Sequence, residues 1–369
     1  MKKNNKLLIV ASFPLKKRKV IGGIEKSSRI LINSKYLDEF DIIKFDTSQI
    51  SNPPPGILIR SVLALIRLFK YIFILFTKRP RYVLVFCSDG ASAIEKGIMI
   101  LFSKSLGINS LIFPRAGNLM NQTKKNLLFY SVIKSLFKKS DYFLCQGKAW
   151  ENYALNDLNI NKGKVRIINN WTATKELIKI GEKRIVNKKM SNLNIVYTGW
   201  LEKSKGIVEL VKVFSELKRK YNVNLYLVGD GKLRKQIELF IAKNNLESCI
   251  HLLGWLDDSG IRQNLKKADI FVLPSKNEGM SNSLIEAIAA GVPSICTSVG
   301  TISNFIKNGE NGILIKPNND LLLKENIEMM ITDFNLRRKI SKNGVISAKK
   351  NFSEENSIKK LANIIRNMD

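Results

Sequence analysis

Two glutamates, Glu278 and Glu286, lie on either side of a predicted turn in the densest polar segment of the sequence. The segment covers residues 273–287 and joins a short apolar run to an amphipathic one. Ser281 and Asn282 are residue types that commonly cap the amino end of a helix, so a helix is predicted to begin there. Glu278 would then lie in the preceding loop, and Glu286 would lie on the helix itself.

This arrangement suits the binding of a phosphorylated sugar. The free backbone N–H groups and the positive dipole at a helix amino end attract phosphate, and parallel sheets bind such groups at their carboxyl edge. Two carboxylates at different depths beside a phosphate could accept hydrogen bonds from hydroxyls at both ends of a sugar nucleotide. The alternative is that both glutamates are solvated side chains on a helix surface.

The elements that would position these residues alternate along the chain. Short apolar runs are followed by longer amphipathic stretches, which is typical of repeated βαβ units with parallel sheets. The runs predicted as strands are 6–11, 42–45, 82–87, 110–113, 142–145, 165–168, 194–197, 225–228, 270–273 and 293–296. A polar, basic segment near residues 183–192 is interpreted as an interdomain connection. The sequence therefore predicts two doubly wound α/β domains, residues 1–188 and 189–352.

The composition excludes several classes of protein. The 369 residues include four widely spaced cysteines with no Cys-x-x-Cys pair and a single histidine, which excludes a disulfide scaffold, a cysteine-based zinc site and a multi-histidine metal site. The histidine, His251, stands in an apolar run and is predicted to pack in a strand. Reduced thiols fit a cytoplasmic location. The sequence contains no Asp-x-Asp.

Positive charge is concentrated in the amino-terminal part of the chain. The sequence has 61 Lys and Arg against 31 Asp and Glu, and its first 180 residues have 31 against 11, a net charge of +20 (31 − 11). Two amphipathic stretches, 57–76 and 124–139, combine apolar runs with cations. On a helix, the cations in and just after the first stretch fall within about 80 degrees of one another. They are Arg60, Arg67, Lys70 and Lys78.

This pattern leaves two interpretations of the first stretch open. One is a core helix whose polar edge faces water. The other is an interfacial helix on an anionic membrane surface, where each basic residue contributes about 1 kcal/mol. The presence of a second basic stretch, 124–139, favours the interpretation as a membrane-binding surface. The alternative for that stretch is a set of lysines that are simply exposed to solvent.

Further motifs follow one another along the predicted second domain. Residues 197–206 read Tyr-Thr-Gly-Trp-Leu-Glu-Lys-Ser-Lys-Gly, and residues 227–234 read Leu-Val-Gly-Asp-Gly-Lys-Leu-Arg. The paired glutamates come next, and glycine-containing segments at 298–300 and 308–312 complete the series. In this order and spacing the motifs resemble those of the family 4 retaining glycosyltransferases. The resemblance implies the GT-B fold, in which two Rossmann-like domains face a central cleft.

The resemblance also implies roles for the candidate site residues. Glu286 would bind the ribose hydroxyls of the donor, Glu278 would bind the transferred sugar, and Lys205 would neutralise charge on the leaving diphosphate. The other donor-binding positions that it implies are Gly22, Gly23, Gly199, Gly279, Met280, Ser281 and Asn282. A carboxy-terminal helix, 353–369, would pack back on the amino-terminal domain.

Two positions depart from the family pattern. Trp200 stands where the family usually has an arginine that contacts the diphosphate, so one contact to the leaving group is missing. Arg115 follows the fourth predicted strand, where many members have a histidine, and an arginine cannot act as a base at neutral pH. We therefore hypothesise that Arg115 contacts the diphosphate from the amino-terminal domain. A surface or structural role is the alternative.

The function expected from these features is retaining transfer of a hexosyl group from a nucleotide sugar to a lipid-linked saccharide. The product would be a surface polysaccharide such as capsule, O-antigen or exopolysaccharide. No cofactor or metal is expected, the catalytic residues would be Glu278, Lys205 and Arg115, and the partner surface would be the anionic inner face of the plasma membrane. The alternatives are a non-catalytic sugar-nucleotide or lipid-binding relative and a nucleic-acid-binding protein. The latter is disfavoured because no recognition motif is present, so no nucleic acid partner is expected.

Overall fold

The chain divides into two compact units. The structure, a computed structural model, describes residues 5–13, 22–48, 55–186 and 192–368. One unit comprises Met1–Trp171 with Glu354–Asp369, and the other comprises Thr172–Ser353. Each unit contains a six-stranded sheet whose paired strands are parallel. The predicted pair of doubly wound α/β domains is therefore confirmed.

The sheet of the first unit has the strand order β2-β1-β3-β4-β5-β6. The elements of its first part are, in chain order, β1 (Lys6–Ala11), α1 (Gly23–Ile32), β2 (Asp41–Asp46), α2 (Ile57–Lys78), β3 (Tyr82–Cys87), α3 (Ala91–Ser105), β4 (Asn109–Pro114), α4 (Asn118–Lys125), α5 (Leu127–Phe137), β5 (Tyr142–Cys145), α6 (Lys148–Asn152) and β6 (Val165–Ile167). Every residue of β3 is buried, as expected for a strand covered on both faces.

The sheet of the second unit has the strand order β12-β11-β10-β7-β8-β9. Its elements are α7 (Lys175–Glu182), β7 (Leu193–Thr198), α8 (Ile207–Leu217), β8 (Val223–Val228), α9 (Arg234–Lys243), β9 (Ile250–Gly254), α10 (Asp258–Lys267), β10 (Ile270–Leu273), α11 (Asn282–Ala289), β11 (Ser294–Thr297), β12 (Ile313–Ile315), α12 (Asp320–Thr332) and α13 (Phe334–Phe352). The last helix, α14 (Glu354–Arg366), belongs to the first unit.

Alternation along β1 assigns the two apolar layers of the first unit. Leu7 and Ile9 point to the face covered by α1 and α14, whereas Leu8 and Val10 point to the face covered by α2, α3 and α5. Successive side chains of a strand point to opposite faces, so a fully apolar strand needs a helix layer on each side. Helix α14 supplies part of one layer, where Ile358 is buried.

The boundary between the units lies earlier than residue 188, the boundary that the sequence predicts. Helix α7 and Arg184 belong to the second unit, although the polar composition nearby indicated a connection. Arg184 donates hydrogen bonds to the backbone oxygens of Ala290 (2.7 Å), Ala268 (2.8 Å) and Leu265. The cation is thus part of the packed unit. Residues 187–191 of the predicted connection lie outside the described residues.

The structure changes the interpretation of both basic stretches. Helix α2 includes the first stretch, but only Tyr71 and Leu75 of it are buried, so the interpretation as a core helix is wrong. The second stretch is divided between α4 and α5, because the Asn126 side chain accepts a hydrogen bond from the Phe129 amide and caps a new helix. None of the helices in the described ranges is both long enough and apolar enough to cross a membrane.

Candidate functional site

The loop after β10 leads into α11, where the sequence predicts a helix start. Ser281 is the residue before the helix, and its Oγ accepts a hydrogen bond from the Leu284 amide at 3.4 Å. Asn282 is the first helical residue. The amino end of α11 therefore lies at the carboxyl edge of the parallel sheet, where its backbone N–H groups form the kind of site that binds phosphate.

Lys205 and Glu278 form an ion pair beside this helix end. Lys205 follows β7 and Glu278 follows β10, and these two strands pair in parallel, so the loops at their carboxyl ends are neighbours. The Lys205 Nζ lies 2.7 Å from the Glu278 Oε1. The Ser275 hydroxyl donates to the same oxygen at 2.9 Å. This leaves the second carboxylate oxygen, Oε2, to accept a further hydrogen bond.

Two glycines allow the loops around the ion pair to approach closely. Gly206, directly after Lys205, has φ +66°, and a Cβ there would lie 2.1 Å from the Pro274 carbonyl oxygen. Gly300 has φ +59°, and a Cβ there would lie 2.1 Å from the Glu278 carbonyl oxygen. At both positions a side chain is excluded, because the positive φ disfavours any residue other than glycine and because the neighbouring carbonyl oxygen leaves no space for a Cβ. The backbone that carries Glu278 is therefore confined between the loops after β7 and β11.

Backbone hydrogen bonds hold the same loop in place. The Gly279 carbonyl oxygen accepts bonds from both the amide and the hydroxyl of Thr301, each at 2.9 Å. On the other side, the Lys276 amide donates to the Ser204 carbonyl oxygen at 2.8 Å. Because the loop is held from both sides, the position of Glu278 is set by the sheet and not by the loop alone.

Glu286 lies in the second turn of α11 and is 3% exposed. Met280, in the loop before the helix, is also buried. With Glu286 buried and Glu278 paired to Lys205, the interpretation of both as solvated surface glutamates is wrong. Glu278 lies in the loop before α11, and Glu286 lies within the helix, as the sequence predicts.

Trp200 packs against Trp255 at the carboxyl ends of β7 and β9. The two rings are edge to face, with centroids 4.6 Å apart. The Tyr197 hydroxyl donates to the Trp200 carbonyl oxygen at 2.7 Å, and a Cβ on Gly199 would lie 2.9 Å from that hydroxyl. Burial raises the pKa of Tyr197 well above its usual value, and the charges of Glu278 and Glu202 raise it further, so the phenol stays a donor.

The contact between these tryptophans was not predicted. The two residues are far apart in sequence, and nothing in the local pattern indicates that the ends of β7 and β9 bring the rings together.

The predicted glycine loop of the first unit leads into α1. Gly22 is the residue before the helix, Gly23 is its first residue, and Ile21 lies outside the described residues. The Gly22 amide donates to the Glu25 Oε2 at 3.0 Å. Since a carboxylate already accepts from this amide, an anion could bind it only after the Glu25 side chain moves.

Arg115 follows β4 and lies among aromatic rings, with 9% of its surface exposed. Its guanidinium carbon is 4.7 to 5.3 Å from the ring centroids of Phe86, Phe113 and Trp171, and its Nη2 donates to the Ser27 hydroxyl at 2.9 Å. Burial lowers the pKa of Arg115 to about 9, so it remains charged at neutral pH. These contacts fit the structural alternative, and contact with a diphosphate stays a prediction.

The remaining candidates for chemistry are packed. His251, in β9, stacks on the Tyr226 ring with centroids 4.7 Å apart, as its apolar surroundings predict. All four cysteines are buried and form no disulfide. Within the part of the chain that the structure describes, no group of three or more His, Cys, Asp or Glu side chains is arranged to hold a metal ion.

Comparisons with a family model and with curated proteins show what this chain is similar to. Residues 178–345 match the model of the family Glycosyl transferases group 1. An uncharacterized glycosyltransferase of Methanocaldococcus jannaschii is 28% identical over 252 residues, which is 66% of this chain and 64% of the relative. The chain thus spans less than two thirds of that relative's length.

Two bacterial relatives have more specific names. The lipopolysaccharide core biosynthesis glycosyltransferase LpsE of Rhizobium meliloti is 26% identical over 66% of this chain and 70% of its own length. A Campylobacter jejuni enzyme is 26% identical over 59% of this chain and 58% of its own length. Its name describes transfer of N-acetylgalactosamine to a saccharide on diphospho-undecaprenol.

Solved structures resemble nearly the whole chain. Sucrose-phosphate synthase of Thermosynechococcus elongatus has a TM-score of 0.77 at 18% identity, with 98% of both chains covered. Anabaena HepE, solved with UDP and glucose, has a TM-score of 0.72 at 16% identity and covers 98% of this chain and 100% of its own. The predicted GT-B fold is thus confirmed.

Proposed function

We propose that this protein is a retaining, family 4 glycosyltransferase that moves a hexosyl group from a nucleotide sugar to a lipid-linked saccharide. The reaction would contribute to a surface polysaccharide at the cytoplasmic face of the membrane. The observation that carries the proposal is the Lys205 and Glu278 ion pair beside the amino end of α11. The names of the Rhizobium and Campylobacter relatives, and the UDP and glucose bound to HepE, support the substrate classes.

In the proposed donor complex, the amino end of α11 binds the diphosphate. Backbone N–H groups near Ser281 and Asn282 point at the phosphates, and the helix dipole stabilises their negative charge. Glu286 accepts hydrogen bonds from the ribose hydroxyls, and Glu278 accepts one from the transferred sugar. Gly199 leaves the backbone after β7 without a side chain near the same ligand.

Lys205 changes partner in this scheme. Without ligand it pairs with Glu278, and each charge satisfies the other in a partly desolvated site. With donor bound, its ammonium neutralises charge as the bond between the anomeric carbon and the diphosphate oxygen breaks. The acceptor oxygen forms its bond to the same face of that carbon, and the acceptor proton passes to the leaving diphosphate. A protein base is not required, which fits the packed position of His251.

Metal independence is part of the proposal. The positive charge that stabilises the diphosphate would come from Lys205 and the α11 amino end, so chelation with EDTA is expected to leave turnover unchanged. Loss of turnover on chelation, with recovery on adding Mg²⁺ or Mn²⁺, would contradict it.

A non-catalytic relative is the second candidate, because Trp200 supplies no charge at the position where the family usually has an arginine. Its ring packs against Trp255 and its carbonyl accepts from Tyr197, so the position is built into the apolar structure. Donor binding without transfer to any saccharide acceptor would favour this candidate. The two candidates share the donor site and differ only in turnover.

A thermal-shift screen tests the donor site. Purified protein is melted with UDP, GDP, ADP, CMP and their sugars, and one nucleotide class is expected to stabilise the native state. At a concentration a hundred times Kd, binding adds about 2.7 kcal/mol, which raises Tm by about 5 °C or more in a unit of this size.

Two variants distinguish binding at the site from nonspecific effects. Glu286→Gln keeps the shape of the buried side chain and is expected to remove most of the shift. Glu247→Ala changes an exposed glutamate of the same unit and is expected to leave the shift intact. If no nucleotide shifts the melting of folded wild-type protein, the proposed function is wrong. If a nucleotide does shift the melting, retention is tested by determining the anomeric configuration of the product from NMR spectra.

A further inference from the structure

Helix α2 presents an apolar surface to solvent. Six of its large apolar side chains are between 55% and 83% exposed. They are Leu58, Val62, Leu65, Phe69, Phe73 and Phe76, and we call them the α2 stripe. At 100 degrees per residue, these six side chains fall within about 80 degrees of one another. A helix on the surface of a globular protein ordinarily has polar residues on this side.

The opposite side of α2 attaches it to the first unit. Tyr71 and Leu75 are buried there, and the Tyr71 hydroxyl hydrogen-bonds to Ser103 of α3. The Arg67 guanidinium binds Glu95 of α3, with Nε 2.7 Å from Oε1. Because these contacts fix the rotation of the helix, the α2 stripe is held outward. An exposed apolar patch of this extent marks an interaction surface.

The amino end of α2 projects beyond the sheet. The helix has 22 residues and is about 33 Å long, whereas a six-residue strand spans about 20 Å. Residues 57–62 are all exposed. In a parallel sheet the covering helices run opposite to the strands, so the amino ends of α2 and α5 both lie at the carboxyl edge. Leu127 and Leu128, the first residues of α5, are also exposed.

Cations accompany this apolar surface, and acidic residues do not. Lys124 and Lys125, just before α5, are exposed. Lys70 of α2 is exposed at about 60 degrees from the edge of the α2 stripe, whereas the exposed Arg60 lies on the other side of the helix. Neither α2 nor the segment 118–139 contains an Asp or Glu. The first unit as a whole has 32 Lys and Arg against 13 Asp and Glu, a net charge of +19 (32 − 13).

We propose that the α2 stripe, together with the amino end of α5, docks on the surface of an anionic phospholipid bilayer. Such a surface offers acyl chains for the apolar side chains and negative headgroups for the lysines and arginines. A second copy of the chain would instead bring two strongly cationic units together, which like-charge repulsion opposes. The helix lies in the plane of the interface because its other side is bound to α3. This proposal deepens the proposed function, which places the reaction at a membrane, by assigning the surface that binds it; vesicle binding is measured separately from donor binding.

Vesicle sedimentation tests the proposal with the full chain. Vesicles of phosphatidylcholine with 40% phosphatidylglycerol are compared with vesicles of phosphatidylcholine alone, at low and high salt. We expect the strongest binding to the anionic vesicles at low salt, weaker binding to them at high salt, and weaker binding to the phosphatidylcholine vesicles at either salt concentration. Phe69→Ser with Phe73→Ser is expected to reduce partitioning by roughly tenfold for each side chain. Lys124→Gln with Lys125→Gln is expected to reduce it about thirtyfold, on anionic vesicles only, because each lysine contributes about 1 kcal/mol.

A matched control removes exposed apolar side chains elsewhere. Leu239→Ser, Leu321→Ser and Ile346→Ser change residues of the second unit that are 58% to 72% exposed, and they are expected to leave partitioning unchanged. All variants alter exposed positions and are checked for wild-type melting.

The proposal is overturned if anionic vesicles are not bound, or if the stripe variant binds as well as the wild type. It is equally overturned if the stripe mediates a dimer instead, which light scattering would detect. The nucleotide thermal shift, measured in the same variants, reports separately on the proposed function.

Discussion

At the scale of single residues, Lys205 and Glu278 show how two charged side chains proposed to act on a substrate can stabilise each other while no ligand is bound. Each would be costly to desolvate alone, and their ion pair with the added Ser275 hydrogen bond reduces that cost. The same pair positions both groups, since the glycines at 206 and 300 confine the backbone on either side. The site is therefore preorganised by steric exclusion as much as by charge.

Replacing Lys205 by alanine is expected to lower kcat by about a hundredfold to a thousandfold, because a charge that acts on the leaving group is removed. Steady-state kinetics with saturating donor measure the effect, and Lys205→Arg is expected to recover part of the rate. Lys276→Ala is the matched control, since Lys276, on the loop after β10 that also carries Glu278, forms a similar ion pair with Glu209 at 2.6 Å. A Lys205→Ala enzyme with wild-type kcat would exclude the proposed role of Lys205.

At the scale of elements, a group of charges joins α2 to α3. Glu95 binds Arg67 of α2 and the buried Lys96 of its own helix, whose Nζ lies 2.9 Å from Glu95 Oε2. Burial alone would raise the pKa of Glu95, but the hydrogen bond from Arg67 and the charge of Lys96 outweigh it and hold that pKa below its usual value. For Lys96, burial also disfavours the charged form and therefore lowers its pKa, whereas the charge of Glu95 acts to raise it.

Glu95→Gln is expected to destabilise the protein by about 3 kcal/mol at pH 7, because it leaves the buried Lys96 without its counter-charge. A carboxylate with a lowered folded pKa stabilises the protein above its unfolded pKa of about 4.3 and loses that contribution as the pH falls through the folded pKa. The difference between variant and wild type is therefore expected to shrink below about pH 4. Urea unfolding at pH 7 and at acidic pH measures it.

The control for this experiment is Glu151→Gln. Glu151 pairs with the exposed Lys148 in α6, and such surface pairs contribute less than about 1 kcal/mol. Equal losses for the two variants, or a loss for Glu95→Gln that does not change with pH, would contradict the assigned role of Glu95.

At the scale of the whole molecule, the two units differ in how the chain builds them. The second unit is one continuous segment, whereas the first needs α14 from the end of the chain. Ile358, Leu361 and Ile365 are buried in the first unit, and the Ser357 hydroxyl donates to the Asn170 carbonyl oxygen at 3.1 Å. Without α14, the part of this apolar face that α1 does not cover would be exposed.

Fragments of the chain test this difference. Residues 172–353 alone are expected to fold and to give the nucleotide thermal shift of the full chain. Residues 1–171 alone are expected to aggregate, and fusing residues 354–369 to them through a flexible linker is expected to restore a soluble, cooperatively melting unit. Gel filtration and circular dichroism measure these outcomes. A stable 1–171 fragment would show that α14 is dispensable for this unit.

Much of the fold was predictable because its signals are local. Apolar runs marked β3, β5 and β10 at their observed limits, and the Ser281 and Asn282 pair marked the start of α11. The three-residue β12 was missed, although β6, which is equally short, was predicted. For the candidate site, motif order selected Lys205, Glu278 and Glu286. The structure places the first two in loops that follow paired strands and the third in α11, and their roles stay predictions.

The sequence by itself determined where strands and helices form and which residues gather at the edge of the second sheet. Only the tertiary structure decided which unit contains α7, which side of α2 faces solvent, and what surrounds Arg115. Periodicity places the cations of α2 on one side and leaves the α2 stripe without charge, which by itself would favour burial of the stripe, whereas the structure exposes it. The choice depends on partners such as Ser103 and Glu95, which are distant in sequence and meet α2 only after the sheet has assembled.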